Sequence, residues 1–538
     1  MPVTPTYPGI YIQEAPSSTH TVIAASTNVA VFIGYSHPLK TDPSLFGKAT
    51  QIFGFMDYQR QFGGFVRSAA FAKQAYDLTS SGANVGDLAV AVNQFFLNGG
   101  TTAYIVALSP TVSGSPPGLL TGATKTIGGI PFTQREITDQ IYSLTVQVVP
   151  VGAGADVIVT YSGSNPSAPS LSVPTQVETF RQVNLTSGDA NNIITRINAT
   201  SNLISIASSA TLPASFTADR QSFDVLLDQG ATIFEAADFT GVLQQDTSLD
   251  KVAVINLMVL PGVTDSLVIS TAIAFCERKL AFLILDPVIT DSADGSVTGF
   301  PHLVQDTVAD PSQPHSANAA LYFPYLLSSD PVSGGTTNLV TLAPYEIPPA
   351  ATVAGVYANT DVTRGVWKAP AGFQAGTNNT LGVVERGRMT DARQGVLNPI
   401  SVNCLRDFPN VGTVVFGSRT LDLTDEQWRY VPVRRMALFL EQTFYANLKW
   451  VIFEPNYEPL WAAIRMSLNA FMLGLFKQQA FQGETPSEAF RVQCDSQTTT
   501  QADIDAGIVN IVVSFAPLKP AEFVVVTIAQ LAGQTQTS

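Results

Sequence analysis

Two short runs, Val29–Gly34 (VAVFIG) and Ala103–Leu108 (AYIVAL), are continuously apolar. A strand with one wet face alternates polar and apolar residues, so an unbroken run of this length marks a strand buried on both faces. The second run follows Asp87–Asn98 (DLAVAVNQFFLN), where Leu88, Val92, Phe95 and Phe96 recur at helical spacing. Asp87 suits the helix cap, and Gly99-Gly100 suits its end, because glycine accepts the left-handed conformation a helix stop needs. Helix, glycine stop and buried strand are the elements of an α/β domain.

The pattern is interrupted and then resumes. From Ser109 to about Ala237 the chain is rich in Ser, Thr, Gly, Pro and Asn, with strands expected at Tyr142–Val149 and Asp156–Tyr161 and a short helix at Asn191–Ala199. This reads as a β-rich insertion on the outer surface, residues 110–237, within a central α/β domain formed by 29–109 and 238–397. In the central domain Val252–Leu260 and Phe282–Leu285 read as strands, and Ser266–Glu277 as a helix. Ala317–Leu327 and Val353–Tyr357 continue the pattern. A smaller C-terminal α+β domain is expected over 398–520. It has a strand at Thr413–Gly417, helices at Pro432–Tyr445 and Pro459–Phe481, and strands at Trp450–Phe453, Phe490–Gln493 and Ile508–Phe515. Residues 1–28 and 521–538 read as extended arms.

Charge is scarce. Asp, Glu, Lys and Arg make up 13% of the chain, against about 25% in an ordinary soluble domain. The net charge of −14 argues against a general nucleic-acid binder, which needs a basic footprint. The longest apolar runs, Val252–Val263 and Leu280–Ile289, are too short to span a bilayer and contain proline. Burial of the exterior by neighbouring protein is the expected account of the composition. No signal peptide is expected, and Cys276, Cys404 and Cys494 read as reduced, buried thiols.

Catalytic motifs nearly fit and then fail. Gly47-Lys48-Ala49-Thr50 has Asp42 where a phosphate loop needs glycine, and Gly152-Ala153-Gly154 has Val157 where a dinucleotide loop needs its third glycine. His20, His37, His302 and His315 show no metal-ligand spacing, and no cysteine pair does; as isolated loop histidines they read as solvated. No serine sits in a glycine-flanked nucleophile turn, which opposes a hydrolase. Asp286, before Pro287, reads as a strand end, and Asp361 as part of a hydrogen-bonded turn.

The blocks Gly355–Gly372 (GVYANTDVTRGVWKAPAG) and Asn398–Thr420 (NPISVNCLRDFPNVGTVVFGSRT) resemble the contractile tail sheath protein family of phage tails and phage tail-like injection systems. So do Pro5–Glu14 (PTYPGIYIQE), Phe95–Val106, Pro261–Asp265, Cys276–Asp286, Tyr322–Tyr325, Trp428–Arg435 (WRYVPVRR), Phe453–Trp461 (FEPNYEPLW) and Ala516–Phe523 (APLKPAEF), in that order along the chain. Nothing in 110–240 matches.

The resemblance implies a structural, non-enzymatic subunit with no cofactor and no metal. Its central α/β domain would be subtilisin-like. Six-fold rings or helical strands of this chain would surround an inner tube protein, joined by baseplate and terminal cap proteins, without nucleic acid or membrane insertion. Assembly would occur in the bacterial cytoplasm, and contraction would drive the tube through a target envelope. Strand donors to neighbouring copies would be Ile10, Tyr11, Ile12 and Gln13 at one end and Phe523, Val524, Val525, Val526, Thr527 and Ile528 at the other. Pro16–Thr21 would hinge the first arm. Arg434, Arg435, Arg465 and Lys477 are candidate inner-tube contacts. The competing readings are a subtilisin-fold hydrolase and another self-assembling, capsid-like shell.

Overall fold

A computed structural model describes residues 20–67, 85–109, 111–112, 118–165, 167–226, 232–233, 235–287, 315–331, 335, 344–384 and 388–526. The chain forms two compact units: Ser26–Leu438, and Met1–Ala25 with Phe439–Ser538.

The larger unit is built on an eight-stranded sheet. Its strands are β1 (Val29–Tyr35), β2 (Ala49–Ile52), β3 (Thr102–Leu108), β4 (Leu257–Val259), β5 (Phe282–Leu285), β6 (Ala319–Phe323), β7 (Val402–Phe408) and β8 (Gly412–Val415). They lie in the order β2-β3-β1-β4-β5-β6-β7-β8. From β3 to β7 every pairing is parallel; the outermost pairings, β2 with β3 and β7 with β8, are antiparallel.

Side-chain alternation explains the continuous apolar runs. Val31, Ile33 and Tyr35 of β1 enter one core with Val268, Ile269, Ala272 and Phe275 of helix α2 (Ser266–Lys279). Ala30 and Phe32 enter the opposite core with helices α1 (Val85–Leu97) and α3 (Ala350–Arg364). Both faces of the sheet are covered, so neither set of positions can be polar. Asp265 caps α2 by accepting from the Val268 amide at 3.0 Å. Gly355 of α3 lets it approach α1: a Cβ there would stand 2.6 Å from Asn98 Cβ and 2.7 Å from the Phe95 carbonyl oxygen.

The segment around Val353–Tyr357 is therefore helical, and Asp361 lies in that helix instead of a turn. Thr352, Val353 and Val356 weaken intrinsic helix propensity, but every residue from Ala350 to Ala358 is buried, and packing outweighs propensity. β7 and β8, expected at the start of a C-terminal domain, instead complete the central sheet.

The insertion has its own antiparallel sheet, ordered Ala168–Val183, Gly154–Asn165, Tyr142–Val151, Asp219–Ser222. Its core joins Leu144, Val146, Val157, Val159 and Phe180 to Ile193 and Ile197 of a short helix, Ile193–Thr200.

The smaller unit holds the second half of helix α4 (Val431–Asn447), helix α5 (Glu458–Lys477), and a two-stranded antiparallel ribbon of Phe490–Gln493 with Val512–Phe515. Leu460, Trp461, Ile464 and Leu468 form one face of α5 and pack around Cys494. Trp450–Phe453, expected as a strand, is a 3-10 turn over Lys449–Val451, followed by Phe453 at φ 72° with its side chain wholly exposed. Its apolar residues do not find a sheet to join; Trp450 and Val451 pack on the α5 core instead.

Candidate assembly surfaces

The ribbon has exposed hydrogen-bonding edges. Val492 pairs with Val513 and Phe490 with Phe515, and among the described residues no third strand flanks either side. The ribbon takes its support from α5, on whose core Val492 and Val513 pack. Beyond it, Phe523, Val524, Val525 and Val526 form no regular structure and are 73%, 83%, 89% and 75% exposed. Four consecutive apolar side chains in water demand cover from another molecule. Ile10–Gln13, Thr527 and Ile528 lie outside the described residues.

The four basic residues singled out from sequence do not form one surface. Arg435 is buried. Its guanidinium grips Asp361 through two bonds (Nη1 to Oδ1 2.8 Å, Nη2 to Oδ2 2.6 Å), donates to the Thr27 carbonyl at 3.0 Å, and stacks over Tyr357. Burial pushes the Asp361 carboxyl up, while the paired carboxylate keeps the guanidinium firmly protonated against its own burial. This group is spent inside the protein and is unavailable to a tube. Asp361 is thus a structural carboxylate. Arg434 donates from Nε to Asn318 Oδ1 at 2.7 Å and lies over Trp428. Arg465 is tied to Glu458 at 2.6 Å and to the Cys494 carbonyl. Lys477, in the last turn of α5, is exposed.

Sequence reasoning missed the most open feature of α5. Ala462, Met466, Asn469 and Ala470 form an exposed, uncharged face, with Met466 61% exposed. The signal was present: in its 20 residues α5 carries only Glu458, Arg465 and Lys477 as charges. By length and composition α5 is also the one helix among the described residues apolar enough to cross a membrane. Arg465 interrupts the helix, so it does not stand out in the sequence as a continuous apolar run.

His37 is a second correction. It is fully buried just after β1, with Nδ1 accepting from the Leu39 amide at 3.3 Å and Nε2 against Glu136 Oε2 at 3.1 Å. Lys40 pairs with the other Glu136 oxygen. The carboxyl end of β1, between β3 and β4, is where open α/β sheets bind ligands; here Glu136 of the insertion fills that place. Burial pushes the His37 imidazole below its ordinary range. Burial also opposes charge on Glu136, but Lys40 and His37 outweigh it and hold the carboxyl down to about 2. His20 and His315 are exposed, and His302 lies outside the described residues.

The Glu136 pair gives a pH prediction. Its folded pKa lies below the unfolded 4.5, so its stabilisation is complete above pH 4.5 and is lost as pH falls toward 2. Glu136→Gln should lower stability by about 3 kcal/mol at pH 7, with the gap to the unsubstituted protein closing in acid. Urea titrations at pH 7 and pH 3 check this; an equal gap at both would contradict the ion pair.

Asp286 is likewise structural. Its oxygens accept from the amides of Gly262 (3.0 Å) and Ala350 (2.7 Å), tying β5 to the start of α3. Burial pushes its carboxyl up to about 7.

Comparisons with known proteins match this geometry. Residues 424–530 match the phage tail sheath C-terminal domain. The tail sheath protein of Vibrio phage KVP40 is 28% identical over 179 residues, 33% of this chain and 25% of the relative. That of Enterobacteria phage T4 is 26% identical over 166 residues, 30% of this chain and 23% of the relative. The matched stretch therefore spans about a quarter of these curated relatives. Among solved structures, the anti-feeding prophage helical sheath in its contracted state aligns over 98% of this chain and 100% of its own, with TM-score 0.56 and 23% identity. The sheath complex of an extracellular contractile injection system, PVC, aligns over 98% of each chain, with TM-score 0.56 and 22% identity. The sheath tail protein of Desulfitobacterium hafniense aligns over 95% of this chain and 100% of its own, with TM-score 0.54 and 12% identity. These structural likenesses establish a shared mixed α/β, multidomain fold. Residues 424–530 thus match the phage tail sheath C-terminal domain, and the chain as a whole shares its fold with solved contractile sheath proteins.

Proposed function

We propose that this protein is the structural subunit of a contractile sheath. It polymerises with copies of itself around an inner tube, joins a baseplate and a terminal cap, and shortens to drive the tube through a target envelope. It does so without catalysis, cofactor, metal, nucleic acid or membrane insertion, and it assembles in the bacterial cytoplasm as part of a phage tail or tail-like particle. The observation that carries this reading is the two-stranded ribbon, flanked by no third strand among the described residues, in a chain whose Phe523–Val526 run is without regular structure and exposed. An open edge recruits an added strand because its N–H and C=O groups need partners. Ile10–Gln13 and Phe523–Ile528 are the strands supplied to neighbours.

Under the same reading 29–109 and 238–397 form the subtilisin-like central domain, supported by the parallel core covered on both faces. Residues 110–237 face outward, the strands Val402–Phe408 and Gly412–Val415 belong with the central domain, and the unit from Phe439 onward forms the inner domain. Covalent labelling of one serine by a fluorophosphonate would restore the hydrolase reading.

Val525→Pro tests the strand donor. Proline removes the N–H a ladder needs, and Val525 is 89% exposed, so the free subunit should keep its stability within about 0.5 kcal/mol. Negative-stain microscopy should show hollow striated cylinders for the unsubstituted protein and none for the variant. Normal cylinders would overturn the role of this run.

The inner-tube surface is assigned to the exposed face of α5, with Met466 as its apolar centre and Lys477 as its charge. Lys477→Glu should reduce tube co-assembly without affecting folding. Arg465→Glu would also break the Glu458 pair, so its effect is less clean. Unchanged sheath–tube particles with Lys477→Glu would remove this residue from the contact.

A further inference from the structure

Residues 20–29 are held by side chains at nearly every step. The His20 ring stacks on Trp450 with centroids 3.8 Å apart and planes nearly parallel (8°). Val22 packs on the α5 core. The Asn447 carboxamide takes both backbone groups of Ile23: Oδ1 accepts from its N–H at 2.9 Å, and Nδ2 donates to its carbonyl at 2.8 Å. One side chain thus does for one residue what a neighbouring strand does in a sheet. The same Nδ2 bonds the Thr443 carbonyl one turn back at 2.8 Å, which fixes the amide's orientation. Thr443, itself buried, accepts from the Ala25 N–H at 3.1 Å. In the larger unit, Asn256 holds the following stretch through two residues instead of one. It donates to the Ser26 carbonyl at 2.7 Å and accepts from the Val29 N–H at 2.9 Å.

We infer that Thr443, Asn447 and Trp450 form a clasp that fixes where the exchanged N-terminal arm leaves its own protomer. The chain from His20 onward belongs to the protomer, and only residues before it cross to a neighbour. This rests on the strand-exchange reading above. It shortens the expected hinge, because His20 and Thr21 lie on the clasped side. The reach of the donor follows. Six residues lie between Gln13 and His20, so at about 3.5 Å for each step along the chain the exchanged strand must end within about 25 Å of the donor's own His20. Tension on the arm is delivered to the end of α4, and Ile23 must lose both bonds before load reaches β1.

The test uses the full chain with Asn447→Ala, and with Thr443→Val as a second variant that removes only the Ala25 bond. On unassembled protein, amide exchange at Ile23 and Ala25 should quicken about tenfold in Asn447→Ala, and at Ala25 alone in Thr443→Val. Unchanged protection in both overturns the clasp, whatever the fate of assembly. In assembled material, Asn447→Ala should still give cylinders, because the exchanged strand is intact, but with irregular helical pitch and breakage on contraction. Cylinders as regular and as durable as those of the unsubstituted protein would overturn the positioning role. Absence of cylinders from the unsubstituted protein would count against the sheath reading, while the exchange data still decide the clasp.

Discussion

A chain lacking residues 1–15 is expected to fold, stay soluble and form no cylinders, and a chain lacking 522–538 to behave the same way. The reason is the separation between what builds the protomer and what joins it to the next. Every described attachment of the N-terminal segment begins at His20, so removing 1–15 leaves the clasp and both cores untouched. At the other end, Phe523–Val526 are exposed and add nothing to a core. Loss of four apolar residues that already face water should shift stability by less than about 0.5 kcal/mol. Under the strand-exchange proposal, by contrast, assembly needs a complete ladder in every subunit, so the loss should be total. Size-exclusion chromatography and circular dichroism establish folding, and negative-stain microscopy reads assembly. Normal cylinders from both truncations would remove strand exchange as the linkage.

Arg435→Leu should be the most destabilising single substitution, by about 3–5 kcal/mol, because it leaves Asp361 buried without its partner. The Tyr322 and Tyr357 hydroxyls, 2.5 Å apart beside this pair, pack against the same guanidinium through the Tyr357 ring, so the loss extends into the α3 core. Asp361→Leu combined with Arg435→Met should recover most of the stability, since replacing a buried pair by apolar residues of similar volume is often neutral. Denaturant midpoints of the singles and the double close the cycle. An Arg435→Leu midpoint within experimental error of the parent would mean the pair contributes nothing. The result also bears on assembly experiments. Charge reversal at Arg435 would abolish cylinders by unfolding the subunit, which a tube-contact interpretation would misread; Lys477→Glu avoids that confusion.

Much of the central sheet was legible in the sequence because burial on both faces leaves a one-dimensional mark. VAVFIG and AYIVAL could be nothing but interior strands, and Leu88, Val92 and Phe95 could hardly be other than a helix facing them. The same logic failed where a segment's environment was not local. Val353–Tyr357 was legible only as a continuation of the α/β pattern, and α3 exists because Gly355 and Ala354 allow it to lie close against α1 and the sheet. Trp450–Phe453 has strand residues but no partner. His37 stands in Pro-flanked loop sequence, and only the return of the chain 99 residues later brings Glu136 to it. Arg435 looked like one more surface cation until Asp361, 74 residues away, was placed against it.

The sequence by itself determined the alternation of buried strands and helices, the scarcity of charge, and the ordered motifs that resemble those of sheath proteins. Tertiary structure alone decided which polar groups are spent inside the protein and which remain for partners. The physical reason is that burial of an apolar face is written in the spacing of neighbouring residues, whereas pairing of a charge or a backbone edge depends on groups the chain brings together from far apart.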